Sequence, residues 1–350
     1  MNEQKVFLVR AGSNGEDEDY ALDNGLAIIG FRDFPSLQNL TNWQDSIALV
    51  KHAQPDLQSR TAGNYAGQLW AFSVAMNVGD IVVLPRKSTS QIALGRVTGK
   101  YKFLKIGDTF RHTREVHWIR PDIARTVFAQ DLLNSFGAYL TVCTISRNDA
   151  VRRIAAVLDG KTDSGTSSLV SKPNTSSIEK LVSDVDAEID LIEAAQDKIV
   201  ETIGKHFKEH DFARLIEAIL QAEGWVTKFS PPGPDGGVDI LAGRGCLGLD
   251  LPRLCVQVKS QNSSADVTVY RTLQGVMQTF KADQGLLVCW GGFNKAVRSE
   301  ARQGHFIVRL WDSGDVVDAI YRNYQRMPAE IQALLPLKQV WMLVNKDRED

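Results

Sequence analysis

Two short apolar runs in the second half of the chain contain polar side chains at particular positions. Of the features of this sequence, that pattern constrains the fold most. The first run, VDILAG, follows the turn-rich PDGG and contains Asp239 at its start. The second, LCVQVKS, places Gln257 and Lys259 on one face of a strand, because side chains alternate across a sheet. Polar groups in core-like strands cost free energy unless they find partners. If the runs pair as a hairpin with a long loop, Asp239 meets Gln257 and Lys259 at one edge.

An acid, a neutral oxygen ligand and an amine at one edge are typical of a site for a hard cation and a phosphate. Mg²⁺ prefers oxygen ligands. The Lys259 amine would orient or help deprotonate a water on the metal and offset charge on a phosphate in the transition state. From residue types alone, a structural Asp–Lys pair at a sheet edge explains the pattern equally well, and both interpretations stay open at this point.

The surroundings of these runs predict two different folding units. From residue 208 onward, helical and strand patterns alternate, which indicates a mixed α/β core. The stretch DFARLIEAILQAEGW predicts a helix with one apolar face that ends near Gly224. The first 150 residues read mostly as short strands separated by Gly, Asp and Asn, with helical patches around 41–52 and 64–77. They predict a small, barrel-like α+β domain.

Between these units the composition changes twice. Residues 159–177 are dominated by Ser, Thr, Gly and Pro, which is typical of a flexible linker. Residues 178–207 repeat apolar positions every three or four residues and have an acidic opposite face, so they predict one long amphipathic helix. Its apolar stripe should pack on the next domain or on another copy of the chain. We therefore predict domains at 1–158 and 208–350, joined by this linker and helix.

Bulk composition excludes several classes of protein. No apolar run reaches the roughly 18 to 20 residues of a membrane span, and MNEQKVFLVRAG lacks a signal-peptide pattern. The prediction is a cytoplasmic protein with no membrane partner. None of the four cysteines lies in a CxxC pair, so neither a zinc site nor a disulfide framework is expected.

The net charge of −2 hides a strongly basic segment. Residues 86–125 hold ten Lys or Arg and three acids, with Tyr101, Phe103 and Trp118 interleaved. Such a segment suits a polyanion, although a solvated basic face is the alternative. The residues predicted to contact DNA are Arg86, Lys87, Arg111 and Arg114.

The residues around the hairpin resemble a known family. The stretch FARLIEAILQAEGW–VTKFSPPGPDGGVDI–LCVQVK is similar to the Mrr-type restriction endonuclease domain of the PD-(D/E)xK nuclease superfamily, and the resemblance extends over about 212–341, including GLLVCWGGFNKAVRSEA and FIVRLWD. It implies Asp239 as a metal ligand, Gln257 in place of the usual acid, Lys259 as the catalytic lysine and the Val258 carbonyl as a further ligand. The implied cofactor is Mg²⁺, with Mn²⁺ as a substitute.

One departure from the family concerns the first helix of this domain. Many relatives carry a glutamate directly after the helix Phe, and this chain has Ala213 there. Glu217, one turn later, is the candidate acid to reach the site, although a surface role fits it as well. His206 and His210 lie on the same stretch without metal-ligand spacing, and we predict a solvated face or a phosphate contact for them.

The N-terminal domain shows a second resemblance. The stretch NYAGQLWAFSVAMNVGDIVVLPRKSTSQIALGRVTG is similar to the PUA-like EVE/YTH superfamily, in which a helix leads into a VGDxV strand and a hairpin. Some members flip a modified base into an aromatic cage. The resemblance implies a modified-base pocket, for which a core role of each Trp is the alternative. The candidate pocket residues are Trp43, Asn64, Tyr65, Gln68, Trp70, Asp80 and Trp118.

Together these features predict an antiviral, type IV-like restriction enzyme. The N-terminal PUA-like domain would read modified foreign DNA, and the C-terminal PD-(D/E)xK domain would hydrolyse phosphodiesters with Mg²⁺. The predicted partner is modified double-stranded DNA. A double-strand break needs two active sites, so a homodimer or higher oligomer is expected, with the helix at 178–205 as part of its interface. A repair or RNA-directed nuclease and a catalytically inactive nucleic-acid-binding protein are the alternatives.

Overall fold

Two sheets organise the chain. The computed structural model describes residues 4–165, 190–230 and 237–341. Its N-terminal half is built on a six-stranded sheet and its C-terminal half on a five-stranded sheet. A β-rich N-terminal domain and a mixed α/β C-terminal domain are therefore confirmed.

The N-terminal sheet is open rather than closed. Its strands are β1 (Val6–Val9), β2 (Leu26–Ile29), β3 (Ile81–Pro85), β4 (Gln91–Ile106), β5 (Thr109–Ala124) and β6 (Val142–Thr144). They lie in the order β2-β5-β4-β3-β1-β6, so that β2 and β6 stand at opposite edges. Within the described residues these two edges do not pair with each other, and the closed barrel that the sequence predicted is not formed. Strands β1, β2 and β3 are buried at every position, as expected of a sheet with helices on both faces.

Within the described residues 4–165 the helices are α1 (Glu18–Asp23), α2 (Trp43–Ala53), α3 (Ser59–Trp70), α4 (Gln130–Phe136) and α5 (Ala150–Leu158). A capping box between Asn42 and Asp45 begins α2. A π-helical turn (Ala71–Ala75) continues α3, and a 3₁₀ turn (Arg125–Val127) follows β5. Helices α2 and α3 cover one face of the sheet, and α4 and α5 cover the other.

The C-terminal half alternates helices and strands. In chain order they are α6 (Leu191–His206), α7 (His210–Ala222), β7 (Val226–Phe229), β8 (Ile240–Arg244), β9 (Asp250–Lys259), α8 (Val267–Phe280), β10 (Gln284–Cys289), α9 (Lys295–Gln303), β11 (Val308–Trp311), α10 (Ser313–Asn323) and, after a 3₁₀ turn (Tyr324–Arg326), α11 (Ala329–Leu334). The sheet order is β11-β10-β9-β8-β7. Strands β9, β10 and β11 are parallel, and β7, β8 and β9 are antiparallel. Strand β9 is thus central, with α7 and α10 on one face and α8 and α9 on the other.

Helix α6 joins the two halves. Val200 and Ile203 on its apolar stripe belong to the core of the C-terminal half. Its acidic face meets the N-terminal half, where the Asp197 carboxylate accepts two hydrogen bonds of 2.6 Å from the guanidinium of Arg125. Glu193 lies 2.8 Å from Arg125 and 3.1 Å from a second arginine, Arg10. The first part of the predicted stripe, 178–189, lies outside the described residues, and what it packs on stays a prediction.

A second contact between the halves is made by the start of β4. The fully buried Gln91 side chain donates to the carbonyls of Gly291 (3.3 Å) and Phe293 (3.4 Å), and it accepts a hydrogen bond of 2.8 Å from Arg298. The neighbouring Ser90 N–H donates to the Asp312 carboxylate at 3.2 Å. The loop after β10 is therefore fixed against the N-terminal sheet.

The predicted domain boundaries stay a prediction. Residues 166–189, which include most of the predicted linker and the first part of the predicted helix, lie outside the described residues. In the part of the chain that the structure describes, no helix has both the length and the apolar character that crossing a bilayer requires. Cys143, Cys255 and Cys289 are buried, whereas Cys246 is exposed in the loop between β8 and β9.

We expect Asp197→Ala to destabilise the protein strongly. The change leaves the buried Arg125 guanidinium without its bidentate partner, and breaking a buried ion pair from one side costs about 3 to 5 kcal/mol. Urea unfolding of the full chain measures the loss. Glu201→Ala is the matched control, because Glu201 lies on the same helix but pairs with the exposed Lys198 and Lys205, and such pairs contribute at most about 1 kcal/mol. Equal effects of the two changes would contradict a joining role for Asp197.

Candidate active site

The start of β8 places Asp239 directly beside the middle of β9. Ile240 pairs with Val256, and the Asp239 N–H donates to the Val256 carbonyl at 2.9 Å. The next residue pair in this antiparallel register is Asp239 with Gln257. The Val258 N–H donates to Oδ2 of Asp239 at 2.7 Å. Asp239 and Gln257 are thus brought together by backbone pairing.

The Asp239 carboxyl is partly buried, and this burial raises its pKa. Three interactions oppose the shift: the hydrogen bond from Val258, and the charges of Lys259 and His210. Two basic side chains, Lys259 of β9 and His210 of α7, are therefore near enough to act on this carboxyl. The sequence pattern predicted the first of these two neighbours.

The Gln257 side chain has an unsatisfied oxygen. The residue is 4% exposed, and its Oε1 is buried without a hydrogen-bond partner in the described residues. A buried acceptor left unpaired costs about 1 to 3 kcal/mol. The Val258 carbonyl lies on the β8 side of β9, because the N–H and C=O of one strand residue point to the same neighbour. One carboxylate, one amide oxygen and one backbone carbonyl are ligands that suit Mg²⁺ or Mn²⁺.

This set of candidate ligands contains one ionisable side chain, that of Asp239, rather than several. Within residues 4–165, 190–230 and 237–341, no three His, Cys, Asp or Glu side chains come together in a way that could hold a metal ion. A metal at this site would depend on neutral oxygens in addition to Asp239. The unpaired Oε1 of Gln257 is the observation that favours such a ligand.

Lys259 occupies the last position of β9. Its carbonyl accepts a hydrogen bond of 2.8 Å from the Trp290 N–H, so its backbone is fixed to the end of β10. Its amine has no hydrogen bond or ion pair with the residues that the structure describes. The backbone is therefore held while the charged group is available to a ligand.

Helix α7 presents a histidine to the site. Ala213, at the position where relatives carry an acid, is buried and has no polar group. Glu217 accepts a hydrogen bond of 2.9 Å from the hydroxyl of Thr227, on β7. His210, three residues before Ala213, packs edge to face on Phe229 with ring centroids 4.6 Å apart. Its spacing from Ala213 is the signal that would have identified it, since one helical turn brings both to one face.

Three of the four predicted DNA-binding cations are engaged inside the N-terminal half. Arg86, Arg111 and Arg114 are buried. Arg86 pairs with Asp19 at 3.0 Å and Arg111 with Asp17 at 3.3 Å, both from the acidic run at 16–19. The Arg114 guanidinium donates to the carbonyls of Phe72 and Ser73, and burial lowers its pKa to about 10. DNA contact by these arginines would require them to leave their partners.

The exposed positive charge lies elsewhere in the same segment. Lys87 is exposed, although its amine donates to the Ser13 carbonyl at 2.8 Å. Lys100, Lys102 and Lys105 are exposed along the hairpin of β4 and β5. His112 adds no charge there, because burial lowers its pKa to about 4. The hairpin lysines are thus the cations that solvent, or a polyanion, can reach.

The predicted pocket residues divide into two groups. Gln68 accepts from the Thr141 and Val142 N–H groups, and Asp80 accepts from those of Lys5 and Asn77. The Trp118 indole N–H points to two carbonyls at 3.2 Å. These three side chains are used by the fold.

The other four pocket residues keep exposed surface on α2 and α3. Asn64 is exposed and accepts from Gln68 at 2.9 Å, whereas Trp43, Tyr65 and Trp70 are half-buried. Tyr65 forms edge-to-face contacts with Phe31 and Phe34, with centroid distances of 5.3 and 6.2 Å. The two phenylalanines were missed from sequence, because they lie about thirty residues before Tyr65 and only folding brings the rings together.

Comparison with known proteins identifies the C-terminal half. Residues 205–320 match the restriction endonuclease family Mrr_cat. They form a restriction endonuclease domain. The predicted Mrr-type resemblance is thereby confirmed. Residues 5–157 match a domain of unknown function, DUF8426. That match carries no description of activity, so the PUA-like identity of the N-terminal domain stays a prediction. No curated protein matches the chain.

Two solved structures are similar to the chain over most of its length. One is the DNA modification-dependent restriction endonuclease AspBHI, with 14% identity, 95% of this chain and 84% of that chain covered, and a TM-score of 0.33. The other is the MspJI restriction endonuclease in complex with a 27-mer oligonucleotide, with 13% identity, 95% and 80% covered, and a TM-score of 0.32. TM-scores of this size do not establish a common fold, and nothing about this chain is concluded from them.

We expect His210→Ala to raise the pKa of Asp239 further. Histidine is charged in the acidic range where carboxyl groups titrate, and a nearby cation stabilises the carboxylate. Titration of the Asp239 side-chain carbon by NMR, in metal-free protein, measures the shift. Glu217→Ala is the control and should leave this pKa unchanged, since Glu217 is bonded to Thr227. An unchanged pKa in His210→Ala would remove His210 from the site.

Proposed function

We propose that the chain is a Mg²⁺-dependent DNA endonuclease, a type IV-like restriction enzyme in which the N-terminal domain selects modified foreign DNA and the C-terminal domain hydrolyses phosphodiesters. One observation carries the catalytic part. Gln257, whose buried Oε1 has no hydrogen-bond partner among the described residues, is the register partner of Asp239 within a restriction endonuclease domain. The amine of Lys259 is available at the end of the same strand.

The residues of the site divide the chemistry among them. Asp239, Gln257 and the Val258 carbonyl would hold Mg²⁺, or Mn²⁺ as a substitute. The chemistry supplied by such an ion is polarisation of the phosphoryl oxygens at the scissile bond. One oxygen of Asp239 is held by the Val258 N–H, which fixes the carboxylate and leaves its other oxygen for a ligand. Gln257 contributes an oxygen without a second negative charge.

Lys259 supplies the mobile charge. Its ammonium would lie near the non-bridging oxygens of the scissile phosphate and offset the negative charge that develops there in the transition state. It would also orient the water that attacks phosphorus in line with the leaving oxygen. His210 would place a second donor near Asp239.

The class of substrate is tested with the wild-type protein. Plasmid and phage DNAs that carry different cytosine and adenine modifications are incubated beside unmodified DNA and RNA, with Mg²⁺ and with EDTA. The proposal expects metal-dependent cleavage of modified DNA. Cleavage of RNA alone, or of unmodified DNA equally well, would favour an RNA-directed or repair nuclease.

Asp239→Ala and Lys259→Ala should each remove nearly all cleavage while DNA binding persists. The first change removes the charged ligand and the second removes the cation that meets the phosphate. Initial cleavage rates with Mg²⁺, and DNA binding in EDTA, measure the two effects. Arg253→Ala is the matched control on β9, because Arg253 pairs with the exposed Asp283 near the start of the strand, far from Lys259.

Gln257 is assessed in the same assay. Gln257→Glu keeps an oxygen ligand and should retain activity, with an altered metal preference, whereas Gln257→Ala should be far slower. If Gln257→Ala cleaves at the wild-type rate, Gln257 is not a ligand. If Asp239→Ala or Lys259→Ala does so, the assignment of the active site is wrong.

We further propose that the N-terminal domain is the PUA-like reader. Its support is the partly exposed aromatic surface of Trp43 and Tyr65 on α2 and α3, together with the exposed lysines of the β4–β5 hairpin. Aromatic side chains stack on an unpaired base, whereas lysines hold phosphates without reading sequence. Selection and affinity would therefore come from different side chains.

Trp43→Ala in the full chain should erase the preference for modified over plain DNA. Loss of one stacking contact corresponds to about 1 to 3 kcal/mol, or roughly 5- to 150-fold in affinity. Competition binding in EDTA with matched modified and plain duplexes measures it. Lys105→Ala should instead lower the slope of log affinity against log salt by about 0.9 and keep the preference.

Trp118→Ala serves as the structural comparison for Trp43→Ala. The Trp118 indole is bonded to carbonyls at the start of the domain. Its loss should therefore lower the melting temperature and weaken binding to all DNAs together. If Trp43→Ala behaves in this same way, Trp43 is a core residue and not part of a reader pocket.

A second copy of the chain is part of the proposal. One active site cuts one strand, so a double-strand break needs two copies. The described part of α6 uses its stripe within the chain, but Leu191 and Ile192 at its start are exposed, at 63% and 57%. We propose a homodimer that these exposed residues help to form.

A further inference from the structure

A cavity of about 270 Å³ lies directly beside the candidate active site. One wall is formed by Ser260, Gln261 and Asn262, the three residues that follow Lys259 in the chain. The opposite wall is the turn between α6 and α7, with Lys208 and Glu209. The same turn continues into His210, which acts electrostatically on Asp239. The cavity and the active site therefore share two segments of backbone.

The floor of the cavity is aromatic and rigid. Phe212 and Trp290 pack edge to face with ring centroids 5.1 Å apart, and both are almost completely buried. Phe207, also buried, completes this surface. Because these rings expose almost no surface, a ligand in the cavity would be held mainly by the polar rim.

The rim offers groups that the fold does not use. The side chains of Lys208 and Gln261 are exposed and have no hydrogen-bond or ion-pair partner in the described residues. Glu209, also on the rim, has a φ of 46° and a ψ of −110°. Such backbone conformations are costly for a residue other than glycine and are enriched at functional sites. An anion would bind on the Lys208 side of the rim, because the Glu209 carboxylate repels it.

The cavity also opens where the two halves of the chain meet. The Thr126 hydroxyl, from the turn that follows β5, donates to Oδ1 of Asn262 at 3.1 Å.

We propose that this cavity is a subsite for the nucleotide next to the scissile phosphodiester on the cut strand. The flanking phosphate pairs with Lys208, and the sugar and base lie between the two walls of the cavity, above the buried rings and without stacking on them. Gln261 and Asn262 supply amide groups to the nucleotide. The subsite rests on the proposed nuclease function and adds a place where the substrate strand is held.

Gly204 lines the cavity, so a larger side chain at this position would fill part of it. A Cβ atom at Gly204 would lie 3.6 Å from Nε1 of Trp290, which is an ordinary contact, and the residue is exposed on α6. Gly204→Leu should therefore fold and project its side chain into the cavity. Lys205→Leu is the matched control, because Lys205 is the next residue, is exposed and pairs with Glu201 outside the cavity.

Binding of a labelled duplex to the full chain is measured in EDTA, cleavage is measured with Mg²⁺, and melting temperatures are compared. Gly204→Leu should weaken binding and cleavage at least tenfold, Gly204→Ala should weaken them less, and Lys205→Leu should match the wild type. Independently, Lys208→Ala should lower the slope of log affinity against log salt by about 0.9, the value for one phosphate contact.

The outcomes separate this subsite from the nuclease assignment. If Gly204→Leu binds and cleaves like the wild type and Lys208→Ala leaves the salt slope unchanged, the subsite is wrong and the nuclease function stands. If the wild type does not cleave, but Gly204→Leu weakens DNA binding and Lys208→Ala lowers the slope, the cavity binds DNA and the nuclease function fails. If Gly204→Leu does not fold, the salt slope of Lys208→Ala decides the question alone.

Discussion

The hydrogen bond from the Val258 N–H to the Asp239 carboxylate determines the geometry of the site. It joins the residue that precedes β8 to the C-terminal end of β9. Asp239 is thereby set opposite Gln257, and Lys259 follows two residues further along the strand. Strand β9 is held in turn by parallel pairing with β10 and by helices on both faces. Because the positions of these candidate ligands depend on backbone pairing, their spacing is as rigid as the sheet.

Among the contacts that attach the N-terminal domain to the C-terminal half, two involve buried side chains. Arg125 is held by acids of α6, and Gln91 is held by the loop after β10. The first contact is ionic and buried, and the second is a network of neutral and charged hydrogen bonds. Contacts of both kinds are costly to break from one side, since a polar group then stays buried without a partner. The two domains are therefore joined more firmly than a linker alone would join them.

Local sequence patterns predicted the hairpin of β8 and β9. The features that they did not predict depend on contacts between segments that are far apart in the sequence. Alternation along LCVQVKS puts Gln257 and Lys259 on one face wherever the strand lies, so that part of the site could be predicted. The approach of His210 depends on a turn and a helix outside the motif. The basic segment and the acidic run at 16–19 were both visible in the sequence, but their pairing, which buries Arg86 and Arg111, is a tertiary contact that composition does not contain.

The neutral side chain of Gln257 changes the charge balance of the site. Asp239 is its one acid among the predicted ligands, and Lys259 and His210 act on its carboxyl as positive charges. A pocket crowded with carboxylates repels a phosphodiester until a metal neutralises it. With a single acid near Lys259, the proposed site would oppose a DNA strand much less. In the proposed complex, phosphate oxygens of the DNA would supply the negative charge that the protein ligands lack. Bound metal would then strengthen the binding of DNA, and bound DNA would strengthen the binding of the metal.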